Sequence, residues 1–157
     1  MAVSGHLLRT LASVTPGTRV VVAGGAAETA DALVRLGLDV RAVYADDAGV
    51  RAARAHLTPH LGADEAAQRV TRADLDALGI PSDWADWAVL TAPPDLDAAL
   101  AEAARVVRPG AWIWICADVP AGALDDAARR AGLAVAETAA DEDGAARAVY
   151  RRPGGVG

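Results

Sequence analysis

The sequence contains no lysine, no asparagine and no phenylalanine, and it has one cysteine, Cys116. A single cysteine excludes an intrachain disulfide and a zinc site built from several cysteines. The longest apolar runs are far shorter than the ~18 residues that a membrane-spanning helix needs, so no membrane partner is expected. All fifteen basic residues are arginine. Together with the abundant alanine, this bias indicates a GC-rich coding sequence.

The net charge of −6 at pH 7 gives no sign of the basic surface that nucleic-acid binding requires, so no nucleic-acid partner is expected. The length of 157 residues, with 53% hydrophobic and 23% charged residues, fits one globular domain. We expect that domain to span residues 1–152, with a flexible tail over 153–157. The opening MAVSGHLLRTLASVTPG predicts an amphipathic helix and not a signal peptide, so a cytoplasmic location is expected.

Short β-rich runs alternate with helical segments along the chain. Strands are predicted at 19–24, 39–45, 67–71, 86–92 and 111–117, and helices at 28–37, 46–57, 94–110 and 123–132. The runs 133–139 and 145–152 flank Asp-Glu-Asp-Gly and predict an antiparallel hairpin. Strands joined by helices form parallel sheets with right-handed crossovers. The sequence therefore predicts an α/β fold: a doubly wound, mostly parallel sheet in three αβα layers, ending in an antiparallel hairpin.

Three stretches carry a resemblance to a known family. TPGTRVVVAGG (15–25) is similar to the family's first motif, and VYADDAGVRAAR (43–54) resembles its second-strand motif. DLDAALAEAARVVRPGAWIWI (95–115) is similar to the late signature, in which a helix ends in Arg-Pro-Gly before the fifth strand. Over residues 7–152 the chain resembles the class I S-adenosylmethionine (SAM)-dependent methyltransferases. The resemblance implies a Rossmann-like fold and SAM as the possible cofactor.

The resemblance also implies where a cofactor would contact the chain, at the ends of the first four strands. The positions are Ala23, Gly24, Gly25, Tyr44, Ala45, Asp74, Leu75 and Thr91. In the family an acid at the position of Tyr44 binds the ribose hydroxyls, and an acid at the position of Asp74 binds the adenine amino group. Asp74 could instead cap a short helix in DLDAL. Asp46 could reach the ribose, although capping the next helix accounts for it.

Two motifs depart from the family pattern at the residues that matter most. The first motif reads Asp-x-Gly-x-Gly-x-Gly in the family, but here Val22 or Val21 takes the place of the acid and one glycine of three remains. Tyr44 cannot reproduce a carboxylate that accepts two hydrogen bonds. Glu28 adds negative charge at a helix start, where the carboxylate of SAM would lie. These departures predict a degenerate SAM site.

Other candidate chemistry in the sequence is weaker. His56 and His60 lie four residues apart, but Pro59 is predicted to end their helix, so we expect a surface pair and no metal site. The four tryptophans (Trp84, Trp87, Trp112 and Trp114) could form an aromatic cage for a cationic group. With phenylalanine absent, packing is the favoured interpretation. No residue is identified as catalytic.

Three functions remain open. The leading hypothesis is a non-catalytic protein of methyltransferase fold that acts as a binding, regulatory or partner subunit, with a protein partner or as a homo-oligomer. The second is an active small SAM-dependent methyltransferase that uses backbone contacts at Gly24 and Gly25, stacking on Tyr44, and Asp74 at the adenine. The third is a different nucleotide-like ligand in the same cleft.

Overall fold

A computed structural model describes residues 4–140 and 144–154 of the chain. The helices are α1 (Gly5–Leu11), α2 (Ala27–Arg35), α3 (Asp47–Leu61), α4 (Ala63–Arg69), α5 (Leu96–Val106) and α6 (Ala121–Arg130). The strands are β1 (Arg19–Ala23), β2 (Asp39–Tyr44), β3 (Val70–Arg72), β4 (Ala85–Thr91), β5 (Val107–Ala117), β6 (Ala134–Ala140) and β7 (Ala146–Arg151). In this part of the chain, no helix is long and apolar enough to cross a membrane.

The seven strands form one sheet in the order β3-β2-β1-β4-β5-β7-β6. Strands β1 to β5 pair in parallel, whereas β7 pairs antiparallel with both β5 and β6. The predicted fold class is therefore confirmed, including the terminal antiparallel pair. The predicted turn at 141–143 and the end of the predicted tail at 155–157 lie outside the described residues.

Helices cover both faces of the sheet. Side chains of α1, α2, α3 and α4 pack on one face, where they surround Val20, Val22 and Val40. Side chains of α5 and α6 pack on the other face against Val21, Ile113 and Ile115. β1 is buried on both faces, so its sequence after Arg19 is a continuous apolar run, as expected for a central parallel strand.

Three predicted element boundaries were wrong. Helix α3 continues past Pro59 to Leu61, because a proline this close to an exposed helix end removes only one backbone hydrogen bond. Residues 63–69 form helix α4, so only Val70 and Thr71 of the predicted strand 67–71 belong to β3. Helix α5 ends at Val106, and the Arg-Pro-Gly sequence lies inside β5, whose Val107 already pairs with Ala85.

Candidate functional site

A cleft of about 390 Å³ opens at the carboxyl ends of the parallel strands. It lies where the strand order reverses between β1 and β4, which is the usual ligand-binding place in an open α/β sheet. The cleft and an adjoining pocket of about 180 Å³ share Ala45, Leu75 and Pro94. Of the eight predicted cofactor positions, the cleft contains Gly24, Gly25, Tyr44, Ala45, Leu75 and Thr91, and the adjoining pocket contains Asp74. Ala23 is fully buried at the end of β1.

The turn between β1 and α2 depends on its two glycines. Gly24 and Gly25 have φ angles of +77° and +83°, a region that side chains rarely adopt. A Cβ at Gly25 would lie 2.8 Å from Oγ1 of Thr91, and a Cβ at Gly24 would lie 3.1 Å from the carbonyl oxygen of Thr91. Close packing against Thr91 at the end of β4 therefore accounts for both glycines without a ligand.

Tyr44 belongs to the core more than to the cleft. It is only 4% exposed, and a Cβ at Gly49 would lie 3.0 Å from its ring, so α3 begins directly over that ring. Its hydroxyl has no hydrogen-bond partner among the described residues. Burial, and then the negative charge of Glu28, raise the pKa of Tyr44 to about 12. The ring lines the cleft but is almost fully covered, so it offers little surface on which a ligand could stack.

Removing the unpartnered hydroxyl should stabilise the protein. In Tyr44→Phe we expect the free energy of unfolding to rise by about 1 kcal/mol, because a buried polar group without a partner is costly. Urea denaturation followed by circular dichroism measures this change. The raised pKa also predicts that the wild type loses stability as the pH rises from the unfolded value of 10.0 through the folded value of about 12. The variant should show less of this alkaline loss; a fall of 1 kcal/mol at neutral pH would contradict the prediction.

The remaining polar groups of the cleft are acidic. Asp46 and Asp95 cap α3 and α5, where their carboxylates accept hydrogen bonds from the N–H groups of Gly49 (2.7 Å) and Ala98 (3.1 Å). Asp74 lies in a turn and not at the start of a helix, so the capping alternative for Asp74 is wrong. Four aspartates and no basic residue line the two pockets: Asp46, Asp74, Asp76 and Asp95. This surface repels phosphate-bearing ligands and favours neutral or cationic ones.

Gly49 also lines the cleft, and sequence reasoning did not identify it. A glycine one turn into a helix is the only signal that could have identified it.

Beside the cleft a smaller pocket of about 110 Å³ lies under the start of α1, and Thr91 borders both cavities. Its walls include Leu7, Trp114 and Cys116, and no charged side chain.

The histidines on α3 face acidic residues on α2. His56 Nε2 lies 3.5 Å from Glu28 Oε1, and His60 Nε2 lies 3.0 Å from Asp31 Oδ1. Glu28 is therefore directed towards α3, so its expected repulsion of a ligand carboxylate at the start of α2 is weakened. Within residues 4–140 and 144–154, no group of three or more potential ligands is arranged to hold a metal ion.

The tryptophans divide between core and surface. Trp114 is 3% exposed, and its Nε1 donates a hydrogen bond to Nδ1 of His6 on α1 (3.1 Å). Trp112 is only half-buried, although a covering helix was expected. It stacks on Trp87 with ring centroids 5.9 Å apart. No cage forms around the cleft; the stacked pair borders a cavity of about 450 Å³ at the opposite end of the sheet.

The strand order, the terminal antiparallel pair and the cleft after β1 together define the fold of the class I SAM-dependent methyltransferases. Solved structures support this assignment. A SAM-dependent methyltransferase from Aquifex aeolicus matches with a TM-score of 0.72 and 14% identity, covering 94% of this chain and 88% of that chain. A proposed methyltransferase of Haloferax volcanii, solved in complex with the Trm112 methyltransferase activator, matches with a TM-score of 0.73 and 19% identity, covering 94% and 89%.

The same fold also carries other chemistry. The [4+2]-cyclase SpnF matches with a TM-score of 0.74 and 15% identity, covering 96% of this chain and 81% of that chain. No protein-family model matches the sequence, and no curated protein matches it. At these sequence identities the similarity establishes the fold only, and the function has to be argued from the residues of the site.

Proposed function

We propose that this chain is a non-catalytic protein of methyltransferase fold that acts through association with protein. The observation that carries the proposal is the burial of Tyr44 at the position where the family places its ribose-binding acid. No other carboxylate replaces that acid, because the Asp46 side chain caps α3. Hydrogen bonds to a charged group contribute ~1.5–3 kcal/mol each. Losing two of them weakens binding by ~10²–10⁴-fold.

The glycine turn supports the same proposal. Thr91 packs against Gly25, so the space in which the family pattern would bring the backbone close to a cofactor is used for internal packing. The chain also contributes no acid or base to the small pocket beside the cleft, apart from the thiol of Cys116. One solved neighbour is a complex with a methyltransferase activator protein, so this fold is compatible with a protein partner in that case.

An active methyltransferase is the second candidate. It is favoured by the Asp74 carboxylate, which has no hydrogen-bond partner among the described residues and lies beside the cleft at the expected adenine position. It is also favoured by the left-handed conformations of Gly24 and Gly25. If SAM is bound, Asp74 would hold the adenine and Gly24 and Gly25 would hold the methionyl part, and SAM would supply the methyl group.

Calorimetric titration with S-adenosylhomocysteine separates the two candidates. For the wild type we expect a Kd weaker than ~1 mM, equivalent to less than ~4 kcal/mol of binding free energy. Micromolar binding would overturn the proposal. Ala45→Asp tests the cause, because Ala45 is exposed in the cleft next to Tyr44 and can carry a carboxylate without disturbing the core. Ala48→Asp, on the exposed surface of α3, is the control for added charge.

Binding that appears only in Ala45→Asp would mean that the cleft lacks chiefly its ribose contact. If none of the three proteins binds S-adenosylhomocysteine, the glycine turn itself does not admit the ligand. Both outcomes agree with a non-catalytic role. Tyr44→Asp is a poorer test, because it removes a buried ring and places a charge in the core.

A further inference from the structure

The two ends of the sheet carry opposite charge. Five aspartates at the carboxyl end form no ion pair within the described residues: Asp46, Asp74, Asp76, Asp95 and Asp118. We call these five the carboxyl-end surface. Four of them line the cleft and its adjoining pocket, and Asp118 follows directly after β5. The net charge of −6 is therefore unevenly distributed, with a strong negative region around the cleft.

The opposite end of the sheet combines arginine with tryptophan. Arg41 and Arg19 lie over the ring of Trp84, at 4.5 and 5.4 Å from its centroid, and Arg151 lies 5.4 Å from that of Trp112. The amino-end surface consists of Arg19, Arg41, Trp84, Trp87, Trp112 and Arg151. The three aspartates nearby are neutralised, since Asp39, Asp83 and Asp86 form ion pairs with Arg69, Arg152 and Arg108.

Arg41 and Arg151 consequently leave an uncompensated positive charge at this end. Neither forms an ion pair among the described residues, and Arg151 is exposed. The three tryptophans of the surface are half-buried, and Trp87 and Trp112 border the 450 Å³ cavity. Tryptophan and arginine are the residues most enriched at the energetic centres of protein interfaces.

We propose that the amino-end surface of one molecule binds the carboxyl-end surface of a second copy of this chain, in a head-to-tail contact. The argument is charge complementarity together with the available area. Seven strands at ~4.8 Å spacing and three layers about 10 Å apart give each end an area on the order of 800 Å², which is what one partner contributes to a standard interface. Each molecule has one surface of each kind, so the contact is heterologous and assembles chains or rings.

This proposal goes beyond the proposed function, and it is tested separately from SAM binding. Light scattering after size exclusion should give a wild-type mass above the 16.0 kDa of the monomer, rising with protein concentration between ~10 and ~200 μM. Raising NaCl from ~0.1 to ~1 M shortens the Debye length from ~10 to ~3 Å and should return the protein to monomers. A wild type that is monomeric throughout, or an oligomer insensitive to salt, overturns the proposal.

Charge-reversed variants test the head-to-tail geometry. Arg41→Glu with Arg151→Glu disables the amino-end surface, and Asp76→Arg with Asp118→Arg disables the carboxyl-end surface. Each variant alone should be monomeric, but an equimolar mixture should associate again, because each partner keeps one intact surface that fits the intact surface of the other. Arg51→Glu, on the exposed surface of α3 and free of ion pairs among the described residues, is the matched control and should associate like the wild type.

The other outcomes distinguish other occupants. If the carboxyl-end variant still self-associates, the contact is symmetric between amino ends, and the proposal is wrong. If the wild type does not self-associate, its two end surfaces do not bind each other, and the proposal is again wrong. Circular dichroism of each variant verifies folding, and the salt dependence of the wild type tests the proposal without any substitution.

Discussion

Asp125→Ala should lower the free energy of unfolding by about 3 kcal/mol. Asp125 on α6 accepts a hydrogen bond from the hydroxyl of Tyr150 on β7 (2.8 Å) and another from Oγ1 of Thr138 on β6 (2.6 Å). Tyr150 is fully buried, so the variant leaves its hydroxyl without this partner inside the core. Hydrogen bonds to a charged group contribute ~1.5–3 kcal/mol each, and the variant loses two of them, although the Tyr150 hydroxyl keeps its bond to Thr138. Burial and the bond to Asp125 also raise the pKa of Tyr150.

Urea denaturation measures this loss, and a thermal scan should show a decrease in Tm of roughly 6–12 °C at 2–4 °C per kcal/mol. Asp126→Ala is the matched control, because the neighbouring Asp126 is 65% exposed and pairs only with Arg129. That variant should change stability by less than ~0.5 kcal/mol. Tyr150→Phe removes the donor as well, so it should cost only ~1 kcal/mol. Equal effects at Asp125 and Asp126 would refute the prediction.

Glu102→Ala should cost about 2–3 kcal/mol and loosen the loop that borders the cleft. The Glu102 carboxylate accepts a hydrogen bond from the N–H of Leu78 (2.7 Å) and two from the Arg105 guanidinium (2.6 and 2.9 Å). Arg105 in turn donates to the carbonyl of Ile80 (2.8 Å). The variant leaves the N–H of Leu78 unpaired and removes the ion pair that holds Arg105 in place. The loop affected is the one that carries Asp74 and Leu75.

The effect of Glu102 should depend on pH. The hydrogen bond from Arg105, followed by that from Leu78, lowers the pKa of Glu102 below its ordinary value of 4.5. A lowered pKa means that the ionised form stabilises the fold above pH 4.5, and that this stabilisation is lost as the pH falls through the folded pKa. The difference in stability between wild type and Glu102→Gln should therefore shrink between pH 6 and pH 3.

Denaturation at several pH values measures this difference, and a difference that grows on acidification would contradict the assignment. Glu102→Gln retains an oxygen that can accept from Leu78, so at pH 7 it should cost only ~1 kcal/mol. Glu65→Ala serves as the surface control. Glu65 is 48% exposed and pairs with Arg69 four residues away, so Glu65→Ala should change the free energy of unfolding by less than ~0.5 kcal/mol.

The elements that sequence reasoning placed correctly are those with strong local signals. β1 is apolar after Arg19 and lies between Gly17 and Gly24, and α2 ends two residues before Gly37, so their positions follow from periodicity and turn chemistry. The predicted strand over 67–71 was mostly wrong, because the local sequence around Ala66 and Val70 is compatible with either a helix or a strand. Packing against α3 decided in favour of helix α4, and only the last residues joined the sheet.

The candidate site was predicted in its position but not in its chemistry. Glycines after β1 and residues at the ends of β2 and β4 must meet at one edge of a parallel sheet, and they do. The sequence could not show that Tyr44 lies under Gly49, that Glu28 points at His56, or that Thr91 occupies the space beside Gly25. Side-chain direction depends on neighbours that are distant in sequence.

By itself the sequence determined the fold class, the strand alternation and the edge of the sheet where a ligand could bind, because hydrophobic period and turn residues act over short distances. Only the tertiary structure decided which acidic residues are neutralised and which remain free. The ion pairs of Asp83 with Arg152 and of Asp86 with Arg108 join residues far apart along the chain. The opposite charges of the two ends of the sheet arise from that pairing, because electrostatic attraction depends on distance in space.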